Sequence, residues 1–231
     1  VRFGQTNTSS TNFGATANVG DVSVGIKKLI GDYYLGLSGA FGVSSQSNNR
    51  YSTDFFTGQN YNMTSHSNAY YGGIRTRNAY QFNLPGNTYI KPYLDLDGLW
   101  IHTPSYQETG AAQVAPLQYS NQNSFNFIAS PMVEIGGRID LSAKKESWIR
   151  PFISAGAMFI TNNTTNIAAS IVGANSGTYQ ISAQAPSALF STNAGIQVFS
   201  GEKVDVKLEY SAQAGQGFVG QSGTAKMNYR F

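Results

Sequence analysis

The chain has 231 residues, of which only 12 % are charged and 13 % aromatic, and its net charge is +3. A soluble protein carries about 25 % charged residues, so this surface is under-charged, yet no stretch approaches the ~20 consecutive apolar residues of a membrane helix. The absence of cysteine excludes disulfides, thiolate metal sites and a cysteine nucleophile, and the small, dispersed positive charge points to no nucleic-acid partner.

Under-charged without a helical span leaves a barrel, whose outward apolar residues alternate with inward polar ones and average to a mean hydropathy of −0.25. In chain order, period-two alternation is read at 1–8, 15–28, 33–45, 68–82, 88–103, 123–140, 147–161, 187–200, 203–215 and 223–231. Helical periodicity is not convincing anywhere. Gly31-Asp32, 83–87, 142–146 and Gly201-Glu202 read as short turns. Between them lie polar stretches rich in Asn, Ser, Thr, Gln and Gly, at 9–14, 46–67, 104–122, 162–186 and 216–222. The start, Val1-Arg2-Phe3-Gly4, lacks the basic residues and apolar core of a signal peptide. The chain is therefore expected to be a mature fragment or a piece of something longer.

Short turns and long loops alternate along the whole chain, as they do in a barrel with tight turns on one side of a membrane and long loops on the other. The expectation is a single domain over 1–231, an all-β, closed antiparallel transmembrane up-and-down β-barrel of about ten strands. The count becomes twelve if 46–67, which holds Tyr51, Phe55, Phe56 and Tyr61, hides a hairpin. The favoured reading of 46–67 is an exposed loop with an aromatic rim.

Alternation assigns the faces. Outward fall Val22, Val24 and Ile26, Leu35, Leu37 and Phe41, Leu94, Leu96 and Trp100, and Ala194, Ile196 and Val198. Inward falls a charge ladder of Arg75, Arg77, Asp95, Asp97, Glu134, Arg138, Asp205, Glu209, Lys226 and Arg230, with Lys27, Arg150 and Lys207 on the same side. An Arg or Lys on the lipid face would cost about 2–4 kcal/mol at the midplane, so the charges belong in the lumen. Folding about Gly86 sets Arg75 and Arg77 across from Asp97 and Asp95, and folding within 215–221 sets Glu209 near Lys226 and Asp205 near Arg230. Such pairs hold register; a sharper role is to shape the path of a translocating segment.

No catalysis, cofactor or metal is expected. His66 and His102 stand near strand ends without a legible carboxylate to orient them, and Asp95-x-Asp97 is matched by arginines rather than spaced as metal ligands. The glycines at 36, 39, 42, 72, 73, 136 and 137 relieve crowding or allow bending.

The last strand places Ala225, Met227, Tyr229 and Phe231 on one face and Lys226, Asn228 and Arg230 on the other. The segment Tyr89-Ile-Lys-Pro-Tyr-Leu-Asp-Leu-Asp-Gly-Leu-Trp100, followed by Tyr106-Gln-Glu-Thr-Gly-Ala111, resembles the autotransporter β-domain. Glu134-Ile-Gly-Gly-Arg138 and the ending from Val204 to Phe231 resemble its later strands. The resemblance implies an outer-membrane barrel that anchors an N-terminal passenger and helps translocate it to the cell surface. It implies as partners the membrane lipid, the barrel assembly machinery and the passenger segment itself, with the barrel acting as a monomer. Met227, Tyr229 and Phe231 are then the candidate assembly signal. The family has twelve strands and a pore-filling helix, whereas ten strands and no helix are legible here. The alternative is a stand-alone barrel, a narrow pore or an adhesin working through its loops.

Overall fold

The computed structural model describes residues 2–10, 12–54, 56–111, 115–142, 147–173, 177–200 and 204–229. Ten long strands form one antiparallel sheet in chain order: β1 Arg2–Ser10, β2 Phe13–Ile30, β3 Tyr33–Thr53, β4 Asn60–Tyr80, β6 Thr88–Thr103, β9 Gln122–Gly137, β11 Ser147–Ile160, β14 Ala188–Ser200, β15 Val204–Gly215 and β16 Phe218–Tyr229. Short strands β5 (Phe82–Leu84) and β10 (Ile139–Asp140) continue β4 and β9 past Gln81 and Arg138, pairing with β6 and β11. The remaining four, β7 Tyr106–Gln107, β8 Leu117–Tyr119, β12 Thr164–Ile171 and β13 Tyr179–Gln184, make a second sheet in the order β13-β12-β8-β7.

The large sheet curls strongly. One cavity is lined by side chains from β2, β3, β4, β6, β9, β11, β14, β15 and β16, so strands near opposite ends of the ladder face the same space. Among the described residues the ladder ends at β1 on one side and β16 on the other, a nearly closed barrel. Antiparallel neighbours can be joined by very short turns. Gly31 (φ 59°), and Gly86 with Asn87 (φ 77° and 57°), supply the left-handed backbone that two of those turns require.

Registers carry the two faces from strand to strand. On the convex side Val22 lies opposite Phe41, Phe41 opposite Gly72, Ile74 opposite Gly98 and Leu96 opposite Ala129. This face is apolar and open in the isolated chain, with Val24 75 % and Ile26 72 % exposed. The concave side is polar, and Asp21, Ser44, Ser65, Asp95, Ser130, Glu134 and Ser154 are buried there. A small apolar cluster there joins Ala79, Tyr93 and Met132 with Tyr34 against them. The sheet is thus inverted relative to a soluble barrel, hydrophobic outside and charged within.

The polar stretches are not the loops expected of them. Residues 46–53 and 60–67 extend the β3–β4 hairpin, and 218–222 belong to β16. Among the described residues, segment 46–67 therefore adds no further stave, and ten long strands form the ladder. A membrane-spanning strand needs about 9–11 residues, so the 21-residue strands β3 and β4 project far beyond that length. Their outer halves have no apolar face, which is why alternation did not reveal them. Within 104–122 and 162–186 the strands Tyr106–Gln107, Leu117–Tyr119, Thr164–Ile171 and Tyr179–Gln184 build the second sheet.

Candidate functional site: a charged lumen and an outer annex

Facing strands β4 and β6 bring Arg75 opposite Asp97 and Arg77 opposite Asp95. Both pairs are two-pronged: Arg75 donates from Nε and Nη2 to Asp97 at 2.5 and 3.2 Å, and Arg77 to Asp95 at 2.7 and 2.5 Å. The planar guanidinium fits a carboxylate edge to edge, which fixes orientation as well as charge. Arg77 also lies 4.5 Å from the centre of the Tyr93 ring.

Nearer the short turns, Glu134 is the hub of a denser cluster. Lys91 Nζ sits 2.5 Å from Glu134 Oε1, and the Tyr89 hydroxyl donates to the same oxygen at 2.7 Å. Arg150 donates to the Tyr89 oxygen at 3.0 Å and stands 3.7 Å from Glu134. Sequence reasoning missed Lys91 and Tyr89, although their parity with Tyr93 and Asp95 was there to be read. It also missed Asp21, which takes Arg2 at 2.6 Å and the Tyr71 hydroxyl at 2.9 Å.

Other ladder residues fall differently. Arg138 stands at the break between β9 and β10, bound to Asp140 at 2.7 Å and 4.7 Å from the Trp148 ring centre. It lines a separate recess near the turns. The β15–β16 hairpin turns tightly at 216–217, with Gly217 at φ 68°, rather than through a loop over 215–221. That register sets Glu209 opposite Thr224 and Lys226 opposite Lys207, so the expected Glu209–Lys226 pair does not form. Glu209 instead ion-pairs with Lys207 on its own strand. Asp205 accepts from Gln197 at 2.8 Å and Asn228 at 3.4 Å. Its proposed partner Arg230, like Phe231, lies outside the described residues. Met227 points outward and is exposed, and the backbone of Tyr229 pairs with Val204.

Among the described residues neither histidine meets a carboxylate. His66 Nδ1 is 3.0 Å from the Ser47 hydroxyl and His102 Nδ1 is 2.8 Å from Asn123. Trp100 and Tyr70 stack beside His102 on the convex face. Among the described residues no group of His, Asp or Glu could hold a metal.

At the outer end the second sheet is latched onto the β3–β4 extension. Arg50 clasps Glu108 with two hydrogen bonds of 2.9 and 2.6 Å, and the Leu117 amide donates to Glu108 at 2.9 Å. Backbone bonds join Thr64 and Thr109, and Met63 is 1 % exposed beneath Gly110. Burial alone would raise the Glu108 carboxyl, but Arg50, the Leu117 amide and the Tyr119 hydroxyl together hold it below its ordinary value. Tyr119 is pushed up by burial and by the Glu108 charge.

A family model, the autotransporter beta-domain, matches residues 1–211. The chain belongs to the autotransporter β-domain family. Its fold is similar to that of the translocator domain of autotransporter NalP from Neisseria meningitidis, with a TM-score of 0.70 at 16 % identity, covering 99 % of this chain and 73 % of that one. It is also similar to the β-domain of the Bordetella autotransporter BrkA, with a TM-score of 0.52 at 11 % identity, covering 99 % of this chain and 96 % of that one. No curated protein matches the sequence significantly. As an autotransporter β-domain the chain is a translocator of type V secretion, resident in the bacterial outer membrane, and its work on a passenger is transport rather than catalysis.

Proposed function

We propose that residues 1–231 act as one monomeric unit that anchors the passenger in lipid through the convex face and accommodates its segment in the lumen. The observation that carries this reading is the single ladder with an apolar convex face and a concave face holding paired charges. The Arg75–Asp97, Arg77–Asp95 and Lys91–Glu134 pairs hold strand register around that lumen, so the wall keeps its shape as polypeptide moves past it. The terminal segment, whose sequence sets Met227, Tyr229 and Phe231 at alternate positions, is the element read by the barrel assembly machinery.

The test is a tagged passenger joined to this domain in cells with an outer membrane. Passenger digested by external protease, with the domain itself migrating faster on gels before boiling than after, supports the reading. A passenger that stays protected while the barrel assembles would overturn the translocating role. A domain soluble in buffer without detergent would overturn the membrane role.

A further inference from the structure

The lumen is unevenly neutralised, and the excess sits at one place. The cavity of about 510 Å³ toward the short-turn end is lined by five cationic side chains, Lys27, Arg75, Arg77, Lys207 and Lys226, against two carboxylates, Glu134 and Glu209. Arg75 and Arg77 are matched by Asp97 and Asp95, and Glu134 is engaged by Lys91 and Arg150. Glu209 is engaged by Lys207. Among the described residues this leaves Lys27 and Lys226 without a carboxylate partner.

The register makes the excess costly. Lys226 stands directly opposite Lys207 on the concave face of the β15–β16 hairpin, and like charges in directly opposed positions destabilise a sheet. Lys27 enters the same cavity from β2, near the other end of the ladder. Elsewhere around this cavity Arg75, Arg77 and Glu134 each meet an opposite charge, the two arginines through paired hydrogen bonds, so a wall built only for register would place an acid at 226. Asn193 and Ser154 line the same cavity; the Asn193 amide donates to the Ser154 hydroxyl at 3.1 Å, which leaves its second amide hydrogen and the Ser154 hydroxyl hydrogen for another acceptor. Two ammonium groups without a carboxylate partner among the described residues, Lys27 and Lys226, with Lys207 shared with Glu209 beside them, form a receptor for an anionic oxygen group.

We propose that the Lys27–Lys207–Lys226 side of the lumen is a carboxylate-binding site, and that its occupant is an acidic stretch of the polypeptide the domain conveys. The occupant rests on the translocation reading; the chemistry of the site does not. A carboxylate seated there relieves the Lys207–Lys226 repulsion and completes the alternation of charge around the wall. An acidic side chain arriving from a moving chain therefore dwells at this level, and a basic one is repelled.

The experiment uses the purified domain in detergent with a labelled octaglutamate peptide, at constant ionic strength, with octalysine and acetate as comparison probes. Octaglutamate is expected to bind, octalysine not to bind, and acetate at equal carboxylate concentration to compete weakly. Lys226→Glu is expected to weaken octaglutamate binding at least tenfold while raising the unfolding temperature of the empty domain, because it replaces a repelling pair by an attracting one. Lys27→Gln is expected to weaken binding several-fold, with unfolding little changed. A residue with a merely structural role would lose stability on substitution rather than gain it. Acetate competing as well as the peptide would overturn the polypeptide occupant. Binding that is absent, or indifferent to Lys226→Glu and Lys27→Gln, would overturn the site. Protease exposure of the passenger in wild-type cells reports the translocation reading separately, so the two failures are told apart.

Discussion

Tyr89 lies so close over Gly136 that a Cβ added there would stand 2.3 Å from the phenol oxygen. The two residues face each other on β6 and β9, and the ring occupies the space that a glycine leaves. From that position the Tyr89 hydroxyl reaches Glu134, so the vacancy at 136 positions the hub of the lumen cluster. Gly136→Ala must displace the ring and the hydrogen bond with it. The expected loss is about 1–3 kcal/mol, the range for overpacking a fitted site, read as a fall in the unfolding temperature of the refolded domain. Tyr89→Ala in the same background should remove most of the added penalty; equal losses in both backgrounds would refute the contact.

Arg75 and Asp97 form a pair whose worth can be isolated. Reversing Arg75 to Glu alone places two carboxylates face to face, whereas Arg75→Glu with Asp97→Arg restores opposite charge. Directly opposed charges contribute about 0.2–1 kcal/mol, and the arginine is more than half exposed to the lumen, so a modest value is expected. The double variant should be more stable than the single one. Additive losses in the cycle would show that the pair is not coupled.

Glu108 makes the annex sensitive to acid. Its folded-state value lies below the ordinary one, so it contributes stability that is present above the unfolded carboxylate pKa of about 4.3 and lost as pH falls through the folded value. The contacts holding β7 and β8 to β4 should persist at pH 7 and 5 and loosen well below pH 4. A nitroxide at Gln118 reports this as a rise in mobility. Glu108→Gln leaves Arg50 with an unpaired charge; Arg50 is 28 % exposed, so the loss should fall below the about 3–5 kcal/mol of a fully buried pair, and the annex should be mobile at every pH. Mobility unchanged by either acid or the substitution would show that other contacts hold the annex.

The terminal strand separates assembly from fold. Deleting Phe231 should lower the amount of domain in the outer membrane several-fold, while refolding of the purified chain in detergent stays near wild type. Met227→Ala, one outward position earlier with respect to Tyr229, should have a smaller effect of the same kind. Normal membrane levels in both variants would reduce these residues to ordinary packing.

The staves were legible because each spanning segment has one apolar and one polar face, as in Val22 to Lys27 and Leu94 to Asp97. The pairings of β4 with β6 were legible because Gly86 fixes the turn and hence the register. The outer halves of β3 and β4 were not, since Gln46, Asn48, Ser65 and Ser67 carry no hydrophobic period. The annex was hidden for a different reason: Glu108 and Arg50 are 58 residues apart, and nothing local announces that they meet. The Glu209–Lys226 pairing failed on the length of a single turn, because a tight turn at Gly217 slides Lys226 against Lys207. That Lys226 meets no carboxylate among the described residues became visible only through that slide.

The central claim is that one face of each stave meets lipid and the other meets the lumen, and the cysteine-free chain allows this to be measured residue by residue. Single cysteines at Asn193, Ala194, Ile196 and Gln197 on β14 should be placed in the domain in lipid bilayers. The account predicts that probes at 194 and 196 are quenched by brominated lipid tails, while thiols at 193 and 197 react with a water-soluble reagent and escape that quenching. Quenching without alternation, or none at any of the four positions, would contradict it.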